Sequence, residues 1–571
     1  VTHDEATTYF NYVQTADFVP FLAKGEANNH FLNSFITYIF VQLFGSSPLA
    51  LRLSNLVFAP LYFFFCYKIS RELSSTVLRW IFLPVMVFTF HIMEFFALTR
   101  GYGLSLTFLA GAIWQVFMAS HTGDYRHYLY SNLFMFLSSL SILLEIYNFT
   151  LLLAWSLAMI VFTPGQRKFK KFTLVSLTGI IPVLFIMFLT LYLKKGGAYI
   201  EMGPTGLWNA SLKTLFSFII ETNFYQAQKP LLIFSILTVL PLFILLSISV
   251  LKKRWHIHPH MLFAYLLFGN LIIIVVVVKL FFSHFPESRL VLFLFPIAVS
   301  TIVFTVDRII GITTKKIFFI LALPLLFFPI QSVKLMNFKY VTWYNRCHVP
   351  MIFYDKVMAD YNEGEIPPTI GCHGTQKWTW QYLARQKGGK ANEMTTDGFP
   401  NRKSQYLIMD INEIGLWKRY YDTIGYDPVS NLYLFKKKDI HEKIKEAKTD
   451  YQVAISKTNS ENAMLLEQNI TEFKDKSIEM DFDLSLKSFD KILYGAIVIA
   501  INDSTGRNLI YDQIHLNWIR EHWNGEPHNF LRSWLFPVLP RDAATVRVYL
   551  WNIKKSDFAI NHGKITLNEL K

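Results

Sequence analysis

Two acidic side chains stand side by side near the start of the chain, in His3-Asp4-Glu5. Arginines recur farther along at the ends of long apolar stretches, in Arg100-Gly101-Tyr102 and in Phe285-Pro286-Glu287-Ser288-Arg289. A carboxylate can take a proton from an acceptor hydroxyl, and a guanidinium can hold a phosphate and neutralise it as it leaves. Together they are the apparatus for moving a sugar off a lipid phosphate. No glycine-rich phosphate loop of the nucleotide-binding kind accompanies them.

The elements that must position these groups are membrane helices. The 571 residues are 52% hydrophobic and only 17% charged, with mean hydropathy +0.30, which is too apolar for an ordinary soluble enzyme. Ten segments are long and apolar enough to span: Leu49 to Tyr67, Val77 to Leu98, Leu104 to Met118, Tyr128 to Glu145, Phe149 to Phe162, Phe172 to Leu193, Leu231 to Leu251, Met261 to Phe282, Leu290 to Val306 and Ile317 to Val333. The net charge of +14 is dispersed over short loops, so lipid headgroups and orientation account for it and nucleic acid does not. Four basic loops, around Lys68, Arg167, Lys252 and Arg308, alternate along the weave and are expected on the cytoplasmic side, while Lys194 and Lys195 fall on the other. Both ends of the chain are then external, and an upstream helix or cleaved signal is expected before Val1.

On that weave His3, Asp4, Glu5, Glu26, His30, Glu94, Arg100, Tyr102, Glu145, Glu287 and Arg289 gather on the external surface, with Lys279 near the outer end of a span. Ionisable groups at membrane depth are costly and are either paired or functional. Each also has a plain alternative: the arginines and Lys279 can snorkel to headgroups, Glu94 can pair with Arg100, and Glu145 can cap a helix.

The segment from His3 to Tyr9, followed by Leu43-Phe44-Gly45-Ser46-Ser47-Pro48-Leu49-Ala50-Leu51-Arg52-Leu53, resembles the first external loop and second helix of the GT-C membrane glycosyltransferases. The nearest branches are similar to the protein O-mannosyltransferases and the lipid A aminoarabinose transferases. Arg100-Gly101-Tyr102 and Phe285 to Arg289 resemble the external helix ends of that family, and the likeness covers about residues 1 to 335. The resemblance implies Asp4 as general base with Glu5 shaping its surroundings. It implies Arg289 as the clamp on the donor phosphate, with Arg100 and Tyr102 as a supporting wall. Lys279 is a further candidate for the phosphate, and Glu26, His30, Glu94 and Glu145 are candidates for the pocket around it. It implies a polyprenyl-phosphate sugar as donor, usually with inversion. Where relatives often carry Lys-Pro-Pro-Leu, this chain has Ala27-Asn28-Asn29-His30-Phe31-Leu32.

Within 194–229, an amphipathic run from Leu212 to Ile220 can close over a lipid donor or be an interfacial connection. After Val333 the texture becomes that of a soluble protein. The expected architecture is a GT-C-like α-helical polytopic domain over 1–335, an external α/β domain over 336–438, a linker over 439–467 with a helical piece from Asp439 to Lys448, and a jelly-roll β-sandwich over 468–571. Trp518, Trp523, Trp534 and Trp551 either stack on sugar rings or pack the sandwich. Cys347-His348 and Cys372-His373 permit a disulfide or, less naturally, a zinc site. No cofactor is indicated, a divalent metal is allowed but not demanded, and none of the candidate residues is expected as a metal ligand.

The function expected is a glycosyltransferase of the inner membrane, multi-pass, with its soluble domains on the periplasmic or external side. Its partners would be membrane lipids, the lipid-linked donor, and a protein, lipid or polysaccharide acceptor. The alternatives are a transporter, which also buries charge in a helix bundle, and a non-catalytic scaffold whose external domain binds carbohydrate.

Overall fold

The computed structural model describes the chain apart from residues 20–28, 163–167, 196–205, 224, 252–258, 282, 338–339, 396–402, 439–447 and 571. It divides into two compact units: Asn11–Phe338, and a second that joins Val1–Phe10 to Lys339–Lys571.

The first unit is helical. Among the described residues eight helices are long and apolar enough to cross a membrane, or nine if a bent pair counts as one, because a helix satisfies its own backbone in lipid. This is a multi-pass membrane domain. Tyr102–Thr122 and Leu294–Thr313 have about four-fifths of their apolar window enclosed, 83% and 78%, whereas Lys168–Lys195, Gln228–Ser249 and Lys316–Leu335 have 22%. The first two are therefore the bundle core, and the last three turn apolar faces outward.

Two of the ten expected spans are not among these eight. The second is Thr76–Phe88 followed by Phe90–Phe96, bent by 50°, with Pro84 inside the first piece and Thr89 extended at the break. The fourth is Arg126–Ser141, 16 residues, which ends where Ile142 turns extended at φ −139°. One more apolar helix, Phe31–Phe44, precedes the first expected span. The amphipathic run is a packed helix, Lys213–Ile219, with Leu215, Phe216, Phe218 and Ile219 buried.

The second unit contains three sheets and the amino-terminal helix. The strands are β1 Ile370–Cys372, β2 Met394–Thr395, β3 Tyr406–Asp410, β4 Tyr421–Asp427, β5 Leu432–Lys437, β6 Lys448–Thr458, β7 Asn462–Asn469, β8 Ser477–Ser488, β9 Gly495–Asp503, β10 Asn508–His515, β11 Pro527–Val538, β12 Ala543–Asn552 and β13 Phe558–Leu570. The first five form a mixed sheet in the order β2-β1-β3-β5-β4, covered by the helix Gly374–Gln386, whose Trp380 is fully buried against Ile408 and Leu434.

The other eight interleave as β10-β9-β12-β7 and β11-β8-β13-β6, all antiparallel. This is the strand order of a jelly-roll sandwich. Ile478, Met480, Phe482, Leu484 and Leu486 of β8 alternate inward onto Ile497, Ile499 and Ile501 of β9 and Val546, Val548 and Leu550 of β12. The expected linker over 439–467 is corrected here: Lys448–Thr458 and Asn462–Asn469 are the first two strands of the sandwich. Both are edge strands, and edges carry charge to discourage pairing with other chains, which is why the stretch reads as solvated. The rest of the expected helical piece lies outside the described residues.

The α/β part and the sandwich are joined through buried polar contacts. Asn392 accepts from the Trp380 indole through its carbonyl at 2.8 Å and from the Ser533 amide through its side chain at 3.1 Å. Arg532 reaches Glu393 at 3.4 Å and also donates to the Gly389 carbonyl. Gly389 has φ +69°, and a Cβ there would lie 2.3 Å from the Ile519 carbonyl, so both conformation and space require glycine.

Candidate functional site

The residues expected to do chemistry fall into the two units. In the second unit, Thr2 caps the helix His3–Thr8: its hydroxyl accepts from the Glu5 amide at 3.3 Å, and the Glu5 carboxylate accepts from the Thr2 amide at 2.8 Å. This reciprocal box satisfies two amides that a helix start leaves open. Glu5 is fully buried in that role, so it shapes the helix that presents its neighbour. Asp4, 8% exposed, accepts a hydrogen bond from the phenol of Tyr344, which comes from the 3-10 turn Thr342–Cys347. Nothing in the sequence marks Tyr344; only the packing of the first ten residues with this unit brings it to Asp4.

Aromatic rings surround the same helix. The His3 ring meets Trp378 edge-on with centroids 6.2 Å apart, Trp378 lies 4.7 Å from Trp518, and Trp518 stacks on His515 at 4.0 Å. Trp523 and Trp534 are core residues of the sandwich, so the sugar-stacking alternative does not apply to them. All three cysteines are free and buried. Burial pushes the Cys347 thiol up to about 11, with the charge of Asp4 adding to the rise. His348 and His373 engage Asp427 and Glu413, each at 2.9 Å. Among the described residues no group of three or more His, Cys, Asp or Glu is placed to hold a metal ion.

In the membrane unit Arg289, Tyr102 and Glu145 line one cavity, together with Ser105, Ile142 and Phe293. It measures roughly 10 Å³, room for a single water molecule. Glu145 is buried and accepts from the Ser105 hydroxyl and the Asn148 amide, both at 2.8 Å. Asn148 in turn accepts from Asn270 at 2.8 Å. The acid is thus held by donors on two helices, and the second of them is braced from a third. Tyr102 heads the core helix and packs on His30 at 5.5 Å and Phe95 at 4.4 Å. His30 lies 3.0 Å through its Nδ1 from the Ser141 carbonyl.

The Arg100-Gly101-Tyr102 motif has a steric reason: a Cβ on Gly101 would lie 2.2 Å from the Ser141 carbonyl oxygen and 3.1 Å from the His30 Cβ. Glycine therefore lets the head of the core helix close against the end of Arg126–Ser141. Arg100 is buried in the turn before it.

Arg289 sits in the short 3-10 helix Ser288–Val291, after Ser288 at φ +51°. The buried helix Lys213–Ile219 and the turn before it hold this loop. Thr214 accepts from the Ser288 amide at 2.7 Å, and the Ser211 hydroxyl donates to the Pro286 carbonyl at 2.7 Å. The run read as a possible lid is thus a fixed support.

Four of the expected residues do not line this cavity: Arg100, His30, Lys279 and Glu94. Lys279 is exposed in the last turn of Pro259–Leu280, where a long side chain reaches outward with its charge. Glu94 does not line the cavity; its carboxylate lies 2.9 Å from His91 Nδ1 one turn earlier on the same helix. Glu26 lies outside the described residues.

No family model and no curated protein matches the chain. Among solved structures it is similar to the arabinosyltransferase EmbB from Mycobacterium smegmatis, at 11% identity and TM-score 0.32, over 100% of this chain and 62% of that one. It is also similar to the VP2 subviral particle of infectious bursal disease virus, at 12% identity and TM-score 0.17, over 26% of this chain and 37% of that one. The chain spans less than two thirds of the length of these proteins. Likeness this distant carries no argument about function, which rests on the residues above.

Proposed function

We propose that the chain is an integral-membrane glycosyltransferase of GT-C type that moves a sugar from a polyprenyl-phosphate donor to a hydroxyl or amine acceptor on the periplasmic or external face. The observation that carries the reading is Arg289 at a helix end, lining one cavity with Tyr102 and Glu145, on a loop braced by a supporting helix. A fixed cation at the membrane boundary suits a lipid-linked phosphate.

In the proposed reaction Asp4 takes the proton from the acceptor as its oxygen or nitrogen bonds to the anomeric carbon. The carbon–oxygen bond to phosphate breaks in the same displacement, its electron pair leaves with the phosphate, and Arg289 neutralises it. Attack opposite the leaving group inverts the anomeric centre. The cavity has room only for water, so donor binding must part its walls.

The test is transfer from radiolabelled polyprenyl-phosphate sugars by the full chain in lipid vesicles. Asp4→Asn and Arg289→Ala should each abolish it while the protein stays folded. Turnover at the wild-type rate in Asp4→Asn removes Asp4 as the base. The bent span with buried His91 beside Glu94 is also what a transporter shows; sugar-lipid-independent solute flux through the same vesicles would favour that reading.

A further inference from the structure

We infer that His91 is a positioning residue that holds both walls of the Arg289 cavity, and the inference takes that cavity to be the donor-phosphate site proposed above. The ring is fully buried just past the bend of the second span. Its Nδ1 lies 2.9 Å from Glu94 on its own helix, and its Nε2 lies 2.9 Å from Glu221, in the turn that ends Lys213–Ile219. The ring stacks on Phe218 with centroids 4.0 Å apart and an interplanar angle of 22°. One imidazole therefore meets the carboxy-terminal end of that helix by a close polar contact and by ring stacking together.

The other end of the same helix holds the arginine loop through Thr214 and Ser211. Phe218 also packs on Phe95 at 5.9 Å, and Phe95 packs on Tyr102 at 4.4 Å. From His91 one chain of contacts runs to Arg289 and a second to Tyr102. Glu221 has φ +46°, a conformation that a non-glycine residue adopts at a cost, and it turns the chain where its carboxylate meets His91. A buried imidazole between two carboxylates has no need to touch substrate to act; it fixes the separation of groups that do.

The experiment uses the full chain in nanodiscs and compares wild type with His91→Gln and Glu221→Gln, the second keeping side-chain size should the first fail to fold. Hydrogen exchange is followed over residues 285–293, together with donor KM, acceptor KM and kcat. The pin predicts faster exchange over 285–293 in either variant. It also predicts a donor KM raised by about 10- to 100-fold, the scale of a small misplacement, with acceptor KM unchanged. Exchange over 285–293 at the wild-type rate in a folded variant overturns the inference. Faster exchange with donor KM unchanged leaves the pin standing and removes Arg289 from the donor site.

Discussion

The phenol of Tyr344 donates its hydrogen bond to the carboxylate of Asp4, so the residue proposed as base is oriented by a tyrosine 340 positions away in the chain. A hydrogen bond to a charged group contributes about 1.5–3 kcal/mol. Tyr344→Phe keeps the ring and removes only the donor. Transfer by this variant is expected to fall ~10- to 100-fold in kcat with donor KM unchanged, since the energy lost acts at the proton. Steady-state kinetics on the reconstituted protein check it, and a wild-type kcat would mean that the phenol does not orient the base.

Gly101→Ala tests the other unit. The added methyl would meet the Ser141 carbonyl, which is backbone and cannot rotate away, so the head of the core helix must shift. Overpacking of this kind costs roughly 1–3 kcal/mol. The expected outcome is a lower thermal midpoint in detergent together with a raised donor KM, because Arg100 and Tyr102 move with the helix head. A variant with unchanged midpoint and kinetics would show that this contact relaxes freely.

Acid stability of the second unit should depend on Asp427. Its carboxylate accepts from the Ser430 amide at 3.0 Å and hydroxyl at 2.6 Å, and lies 2.9 Å from His348. Burial alone would raise its pKa, but the bonds from Ser430 and His348 outweigh it and hold the group below its ordinary 3.8. A carboxyl lowered by folding stabilises above its unfolded pKa, and that stability is lost as pH falls through the folded value. Unfolding midpoints at neutral pH and at about pH 3 should therefore differ less in Asp427→Asn than in wild type, with the variant the less stable of the two at neutral pH. Equal differences in both proteins would show that another group sets the acid limb.

What could be read from the sequence followed from periodicity and from the cost of charge near lipid. The alternation of Ile478 to Leu486 gave one face of the sandwich, and Tyr406 to Asp410 is a strand as its β-branched and aromatic content suggests. Glu145, Tyr102 and Arg289 could be grouped because each interrupts an apolar run. His91 was legible by the same logic, a histidine one turn before Glu94 within a span, yet its second partner, Glu221, is set by tertiary contact alone. The edge strands from Lys448 onward were hidden because edge charge looks like solvation. The amphipathic run before Ile220 looked interfacial because hydrophobic spacing cannot distinguish a lipid surface from a protein one.

Val1–Phe10 belongs to the same compact unit as Lys339–Lys571, which makes that unit discontinuous along the polypeptide. Cutting the sandwich away would remove Trp518 and Glu521, which meet Phe10 and Tyr9 at the end of the helix that carries Asp4, so lost turnover after such a deletion would not by itself report carbohydrate capture by the sandwich. Producing residues 339–571 alone would leave a gap where that helix docks. A faithful soluble fragment has to be a permuted chain, with the first ten residues tethered back onto it.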